Sequence, residues 1–86
     1  MNLSLESAKK QRTVDYFKRL ADNLKKLRTA KGMTQAELAA ALGVKRSSYT
    51  AFETARNEPN ISVVVAAANF FNVSLDYLVG RNRVMT

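Results

Sequence analysis

Phe17, Leu20, Leu24 and Leu27 recur at spacings of three and four, with Lys and Arg on the intervening faces. That spacing predicts an amphipathic helix, which Val14 extends backwards and Gly32 ends, with Lys31 in the last turn. Thr34 and Glu37 form a Thr-x-x-Glu capping box and predict a short second helix over about 35–42, with Leu38, Ala39 and Leu42 inward. Gly43 stops it. Val44 precedes a polar cluster, Lys45-Arg46-Ser47-Ser48, and then Tyr49 and Phe52 lie three apart, which predicts a third helix over about 45–54. Residues 56–59 are a loop. Asn60 caps a fourth helix over about 61–71; the run Ile61, Val63, Val64, Val65 is β-branched, but Ala66-Ala67-Ala68 and the lack of alternation favour helix. In this helix Ile61, Val64, Val65, Ala68 and Phe71 are expected to face the core, leaving Val63, Ala66, Ala67 and Phe70 on other faces. Asn72 ends it. Ser74 caps a fifth helix over about 75–79, which Gly80 closes.

The pattern defines an all-α chain of five helices. Its 86 residues amount to one small domain. The expected organisation is a basic N-terminal extension, 1–16, a five-helix domain, 17–80, and a basic tail, 81–86. Hydrophobic residues make up 47%, enough for a compact core. There is no Cys and no His, so the chain offers no disulfide, none of the commonest transition-metal ligands, no His general base and no Cys nucleophile. No pair among the seven carboxylates stands in a catalytic setting. An enzyme is not expected, and neither is a metal or a cofactor. The first 17 residues lack an apolar signal-like stretch, and the longest uncharged run, 59–75, is too short and too polar to span a bilayer. A cytoplasmic protein is expected.

Charge changes the picture. Fourteen Lys and Arg stand against seven Asp and Glu, a formal net charge of +7. Residues 9–31 hold nine positives and two negatives, whereas residues 32–80 are close to neutral. An excess of this kind points to an anionic partner, with nucleic acid foremost. A solvated helix exterior is the plainer account of the same residues.

The second and third predicted helices, joined through Gly43 and Val44, have the layout of a helix-turn-helix. Ala39 is small where the two helices would cross, Gly43 can take the positive φ of the turn, and Val44 plugs the corner. Such a turn presents the start of the following helix outward, toward a major groove.

At this point the sequence resembles the Cro/repressor-type helix-turn-helix proteins, the lambda-repressor-like five-helix DNA-binding domains. The residues that carry the resemblance are Leu27-Arg28, Lys31-Gly32-Met33-Thr34-Gln35, Glu37-Leu38-Ala39, Leu42-Gly43-Val44, Glu53, Glu58-Pro59, Phe71-Asn72-Val73-Ser74-Leu75-Asp76-Tyr77-Leu78 and Gly80-Arg81. They cover nearly three quarters of the chain in one register. The resemblance implies a phosphate-touching role for Gln35, which would also brace the recognition helix. It implies that Lys45, Arg46 and Ser47 form the exposed start of that helix, that Thr50 and Ala51 form its next groove-facing turn, and that Arg56 is a basic loop position near the DNA backbone. Side-chain chemistry agrees: Arg forms a bidentate fork with guanine, Ser serves bases or phosphates, and Ala offers an apolar contact. Lys9, Lys10, Arg12 and Thr34 are further candidate phosphate contacts. Tyr49 and Phe52 are expected in the core.

Three positions depart from the family pattern. Lys45 stands where Ser or Thr would cap the recognition helix, so either the helix starts uncapped or Ser47 caps a later start. Tyr49 replaces a branched aliphatic, and its hydroxyl needs a partner. Ala55 replaces a common Gly.

The expected function is sequence-specific binding of double-stranded DNA at an inverted-repeat operator. The chain would act as a transcriptional regulator, most simply a phage-like repressor. The uncharged fourth helix suggests a homodimer contact through Val63, Ala66, Ala67 and Phe70. Two alternatives remain: an antitoxin-like protein that also binds a protein partner, and an interaction module that has lost DNA binding. Binding of residues 5–31 to a membrane surface would consume leucines that the core needs.

Overall fold

Residues 15–81 are described by a computed structural model. Lys9, Lys10 and Arg12 lie outside the described residues, as do the last five positions.

The first helix, α1 (Tyr16–Ala30), starts where the Asp15 side chain accepts the backbone N–H of Lys18 at 2.9 Å. It buries the expected stripe, with Leu20 and Leu24 almost inaccessible and Leu27 packed at the edge. Helix α2 (Gln35–Leu42) carries the complete capping box: the Thr34 hydroxyl accepts the Glu37 N–H at 3.0 Å, and the Thr34 N–H donates to Glu37 Oε1 at 2.9 Å. Gly43, at φ 76°, turns the chain with no Cβ to strain. Val44 then plugs the corner against the core.

Helix α3 (Arg46–Glu53) begins directly after Lys45, which is the N-cap and makes no side-chain cap bond. The first of the two expected alternatives is therefore the one adopted, and Ser47 lies inside the helix. Helix α4 (Ile61–Phe71) starts at Asn60, whose side chain accepts the Val63 N–H at 3.0 Å. Helix α5 (Leu75–Leu78) is capped likewise by Ser74, which accepts the Tyr77 N–H at 2.9 Å.

Each helix closes in one way. A residue at positive φ (Gly32, Gly43, Ala55, Asn72 or Gly80) follows it. The next N–H then reaches back five residues along the chain, as from Val44 to the Ala39 carbonyl at 3.0 Å and from Arg56 to that of Ala51 at 2.8 Å.

The core gathers Leu20 and Leu24 from α1, Leu38, Ala39 and Leu42 from α2, Tyr49 and Phe52 from α3, Ala67 and Ala68 from α4 and Leu78 from α5. At 2% exposure, Ala39 allows α2 and α3 to cross closely. The last helix is fastened to the first by side chains. Asn23 donates to the carbonyls of Tyr77 and Leu78 at 3.1 and 2.9 Å, and Arg19 donates to that of Gly80 at 2.8 Å. The carbonyls of Leu78 and Gly80 are ones that a helix end leaves without a backbone partner, and that of Tyr77 also accepts the Gly80 N–H at 3.1 Å.

Helix α4 is rotated from the expected orientation. Ala67 is fully buried, and Val63, Val64, Ala66 and Phe71 pack against the core. Ile61 is 67% exposed and Val65 39%. Of the four residues expected on an outward dimer-forming face, only Phe70 is classed as exposed, with Lys31 Nζ lying 5.3 Å from its ring centre. The correction has a physical cause. A helix without charged residues has only Ser62 and Asn69, seven apart and both exposed, to mark its outer face, and the small Ala67–Ala68 pair permits a closer approach than branched side chains do.

Candidate nucleic-acid interface

The start of α3 gathers the basic and hydroxyl side chains that the sequence singled out. Lys45, Arg46 and Ser47 are exposed, Thr50 is half-buried one turn on, and Arg56 follows the helix, also exposed. Arg46, Ser47, Thr50 and Arg56 line one open cleft of about 410 Å³. Among the described residues, no carboxylate pairs with Lys45, Arg46 or Arg56. The first backbone N–H groups of α3 also lack a side-chain cap. Two arginines, a lysine, two hydroxyls and a helix N-terminus on one side make a surface suited to an anionic backbone.

Ala51 departs from expectation. It is 5% exposed, so it belongs to the buried side of α3 and offers nothing to a groove. Its neighbour Thr50 alone represents that turn on the outer side. Thr34 is spent on the capping box through its oxygen, although its hydroxyl hydrogen stays uncommitted.

Gln35 is held by a network that the residue pattern did not reveal. At its centre is Glu53, the one buried charged residue among the described residues, at 9% exposure. Its carboxylate accepts from Arg28 Nε at 2.6 Å and Nη2 at 3.2 Å, from Gln35 Nε2 at 3.0 Å, and from the Tyr49 hydroxyl. Arg28 Nη1 also donates to the Met33 carbonyl at 2.7 Å. Gln35 Oε1 in turn accepts from the Thr50 hydroxyl at 2.8 Å. The hydroxyl of Tyr49 thus finds its partner inside the domain. Arg28 and Glu53 appeared in the sequence as marks of the family, without a role. The available signal was Tyr49 and Glu53 at a spacing of four, which puts a phenol and a carboxylate on one helix face.

Electrostatics fix the protonation states. Burial works against ionisation of Glu53, but the hydrogen bonds from Arg28, Tyr49 and Gln35 outweigh it and hold the carboxyl below its usual 4.5. The Arg28 guanidinium is pushed up, chiefly by its hydrogen bond to Glu53. Burial, with Glu53 beside it, pushes the Tyr49 phenol well above its usual range. The carboxylate therefore only accepts, while the phenol and guanidinium only donate to it.

The basic stretch of α1 is less uniform than its charge suggests. Lys18 pairs with Asp22 at 3.7 Å, Arg19 is tied to Gly80, and Arg28 is tied to Glu53. Lys25 and Lys26 are exposed. Among the described residues, no group of His, Cys, Asp and Glu is placed to hold a metal. Nor is any described helix long and apolar enough to cross a membrane.

Two crossing helices joined by a glycine turn, with a basic outward start to the second, define a helix-turn-helix DNA-binding domain of the lambda-repressor-like kind. Residues 24–78 match the helix-turn-helix family, and the chain belongs to that family, in its Cro/repressor type. It is 43% identical over 58 residues to the HTH-type transcriptional regulator YqaE of Bacillus subtilis, covering 67% of this chain and 50% of that protein. It is 37% identical to the SPbeta prophage-derived HTH-type transcriptional regulator YonR of the same organism, over 66% of this chain and 53% of that protein. The HTH-type transcriptional activator BcrR of Enterococcus faecalis is 32% identical over 76% of this chain and 32% of its own length. The chain spans about half the length of the first two relatives. No solved structure matches at a significant level. The relatives named here are HTH-type transcriptional regulators, one of them an activator.

Proposed function

We propose that the chain is a phage-like repressor that docks α3 in the major groove of an inverted-repeat operator as a homodimer. It would do so in the bacterial cytoplasm, without cofactor or catalysis. The observation that carries the reading is the cleft of Arg46, Ser47, Thr50 and Arg56 beside Lys45, in which three cations stand free of carboxylates among the described residues. In this reading Arg46 reads a base, Lys45 reads a base or a phosphate, and Ser47, Arg56 and Gln35 hold the backbone. Thr34 adds its hydroxyl hydrogen, and Lys9, Lys10 and Arg12 extend the phosphate contacts. Similarity to a prophage-derived regulator supports the phage-like part. Two copies would set their α3 helices about 34 Å apart on half-sites one turn apart. Phe70 and Leu75, exposed on either side of the α4–α5 turn, are the apolar surface offered to the second copy.

Selection from a random duplex library tests this reading. The expected result is an enriched inverted repeat, with Arg46→Ala relaxing one base pair per half-site at a cost of about 1–3 kcal/mol. Retention without enrichment, or no retention, would overturn it.

A second reading is a protein partner in addition to DNA, as in an antitoxin. It is favoured by the apolar groove of Tyr16, Phe17, Pro59, Ile61, Val64 and Val79, at whose rim Ile61 is 67% exposed. Co-purification of a neighbouring gene's product, lost in Ile61→Asp, would establish it. An interaction module that has lost DNA binding would show that partner and no duplex retention.

A further inference from the structure

We infer that Thr50 reads the operator as a hydrogen-bond acceptor only, and so selects a base that presents an amino group in the major groove, adenine or cytosine. The inference rests on the DNA-binding reading above and goes further, because it assigns a residue the polarity of its base contact.

The argument is a chain of commitments that starts in the interior. Arg28 can only donate, and it donates twice to Glu53. The Glu53 carboxylate can only accept. Whatever Gln35 turns toward it must therefore be the amide NH₂, which lies 3.0 Å from Glu53 Oε1. The other end of the Gln35 amide, its carbonyl oxygen, then faces Thr50 at 2.8 Å. A carbonyl only accepts, so the Thr50 hydroxyl must spend its single hydrogen there. Two lone pairs are what the hydroxyl keeps. The side chain of Thr50 lines the cleft with Arg46 and Ser47, at the second exposed turn of α3.

In the major groove, adenine N6 and cytosine N4 donate, whereas guanine O6 and thymine O4 accept. A free threonine hydroxyl serves all four by rotating. Held by Gln35, it meets guanine and thymine with lone pair against lone pair. The network thus turns an indifferent hydroxyl into a discriminating one. Gln35 has a second amide hydrogen that remains for a phosphate, so one side chain both anchors the domain and sets the polarity of its neighbour. Gln35 and Glu53 are positioning residues here, and Thr50 is the reader.

The test compares selected motifs from a random duplex library for the full chain and three variants. Thr50→Val identifies the position that depends on Thr50, as the one whose preference it erases. In the full chain that position should be adenine or cytosine on the contacted strand, favoured about three- to tenfold, as one hydrogen bond allows. Gln35→Met keeps the stem but removes the acceptor, and Gln35→Ala removes both. Each should weaken binding overall, retain the Arg46-dependent preference, and broaden the Thr50 position to admit guanine and thymine. A melting curve for each variant checks folding, and motifs are compared only among folded variants; Gln35→Met covers a failure of Gln35→Ala. Guanine or thymine at the Thr50 position of the full chain would overturn the inference, thymine pointing instead to contact with the threonine methyl. An unaltered position in the Gln35 variants would overturn it, as would an enriched motif with no Thr50-dependent position. Absence of any motif would bring down the DNA-binding reading and this inference together.

Discussion

Ala55 follows α3 at φ 59°, while the ends of α1, α2 and α5 place glycine at the equivalent point and α4 places asparagine. A Cβ at left-handed φ costs about 1–2 kcal/mol, of which the lower backbone entropy of alanine in the unfolded chain returns part. Ala55→Gly should therefore stabilise the domain by up to about 1 kcal/mol, read as a rise in Tm of several degrees. The departure from the family's glycine was legible in the sequence; the conformation it imposes was not, because a single residue does not announce its φ. Glu53 makes a second prediction. Its carboxyl titrates below 4.5 in the folded protein and near 4.5 in the unfolded chain, so the unfolded state binds more protons in between. Its contribution is complete above the unfolded value and is lost as pH falls through the folded one. Urea unfolding should thus show the native protein losing more stability on acidification than Glu53→Gln, which starts lower at neutral pH. Equal losses in the two proteins would remove Glu53 as a source of acid sensitivity.

The boundaries of the helices were written in their caps. Thr34 with Glu37, Asn60 and Ser74 each supply an acceptor to an N–H three residues on, and each was readable from local chemistry. Rotation about the helix axis was readable only where polar residues mark the outer face. Helix α1 has lysines and arginines to do so, and its buried stripe is the expected one. Helix α4 has only two uncharged polar residues, Ser62 and Asn69, and its inward face contains Ala67, which the pattern had assigned outward. The consequence is testable. Ala67→Leu should overpack the interior and cost about 1–3 kcal/mol. Val65→Ser, at an expected core position that is 39% exposed, should stay within about 0.5 kcal/mol. Thermal or urea unfolding of the two variants separates the orientations, since the expected one reverses the order. Ala51 teaches the same lesson on α3, where adjacency to Thr50 did not decide which of the two looks outward.

At the scale of the whole molecule, the net charge of +7 signalled an anionic partner but not where the charge is free to act. Arg19, Arg28 and Lys18 are engaged within the domain, whereas Lys45, Arg46 and Arg56 stand clear of carboxylates among the described residues. Within the basic stretch of α1 some cations are thus engaged and others, Lys25 and Lys26, are exposed, so the sum of charge does not single out one surface. Each phosphate neutralised contributes about 0.9 to the slope of log affinity against log salt. Arg56→Ala should lower that slope by about this amount, and Arg19→Ala should leave it unchanged, as fluorescence anisotropy across a salt series would show. The candidate site was legible as a list of residues because the turn that creates it has a local signature. The network beneath it was not, because Arg28, Gln35 and Glu53 meet only through the packing of three helices.

The side chains that bind α5 to α1 make the five helices close to a ring. Arg19 and Asn23 reach the carbonyls of residues 77, 78 and 80, so the two ends of the described chain lie side by side. A few glycines and serines would join them. Between Asn57 and Glu58, both exposed, the ring could then be reopened without removing a core side chain. The order in which the helices are synthesised is therefore separable from the way they pack: a circularly permuted chain beginning with α4 and ending with α3 contains the whole architecture, with the recognition helix moved to its free end.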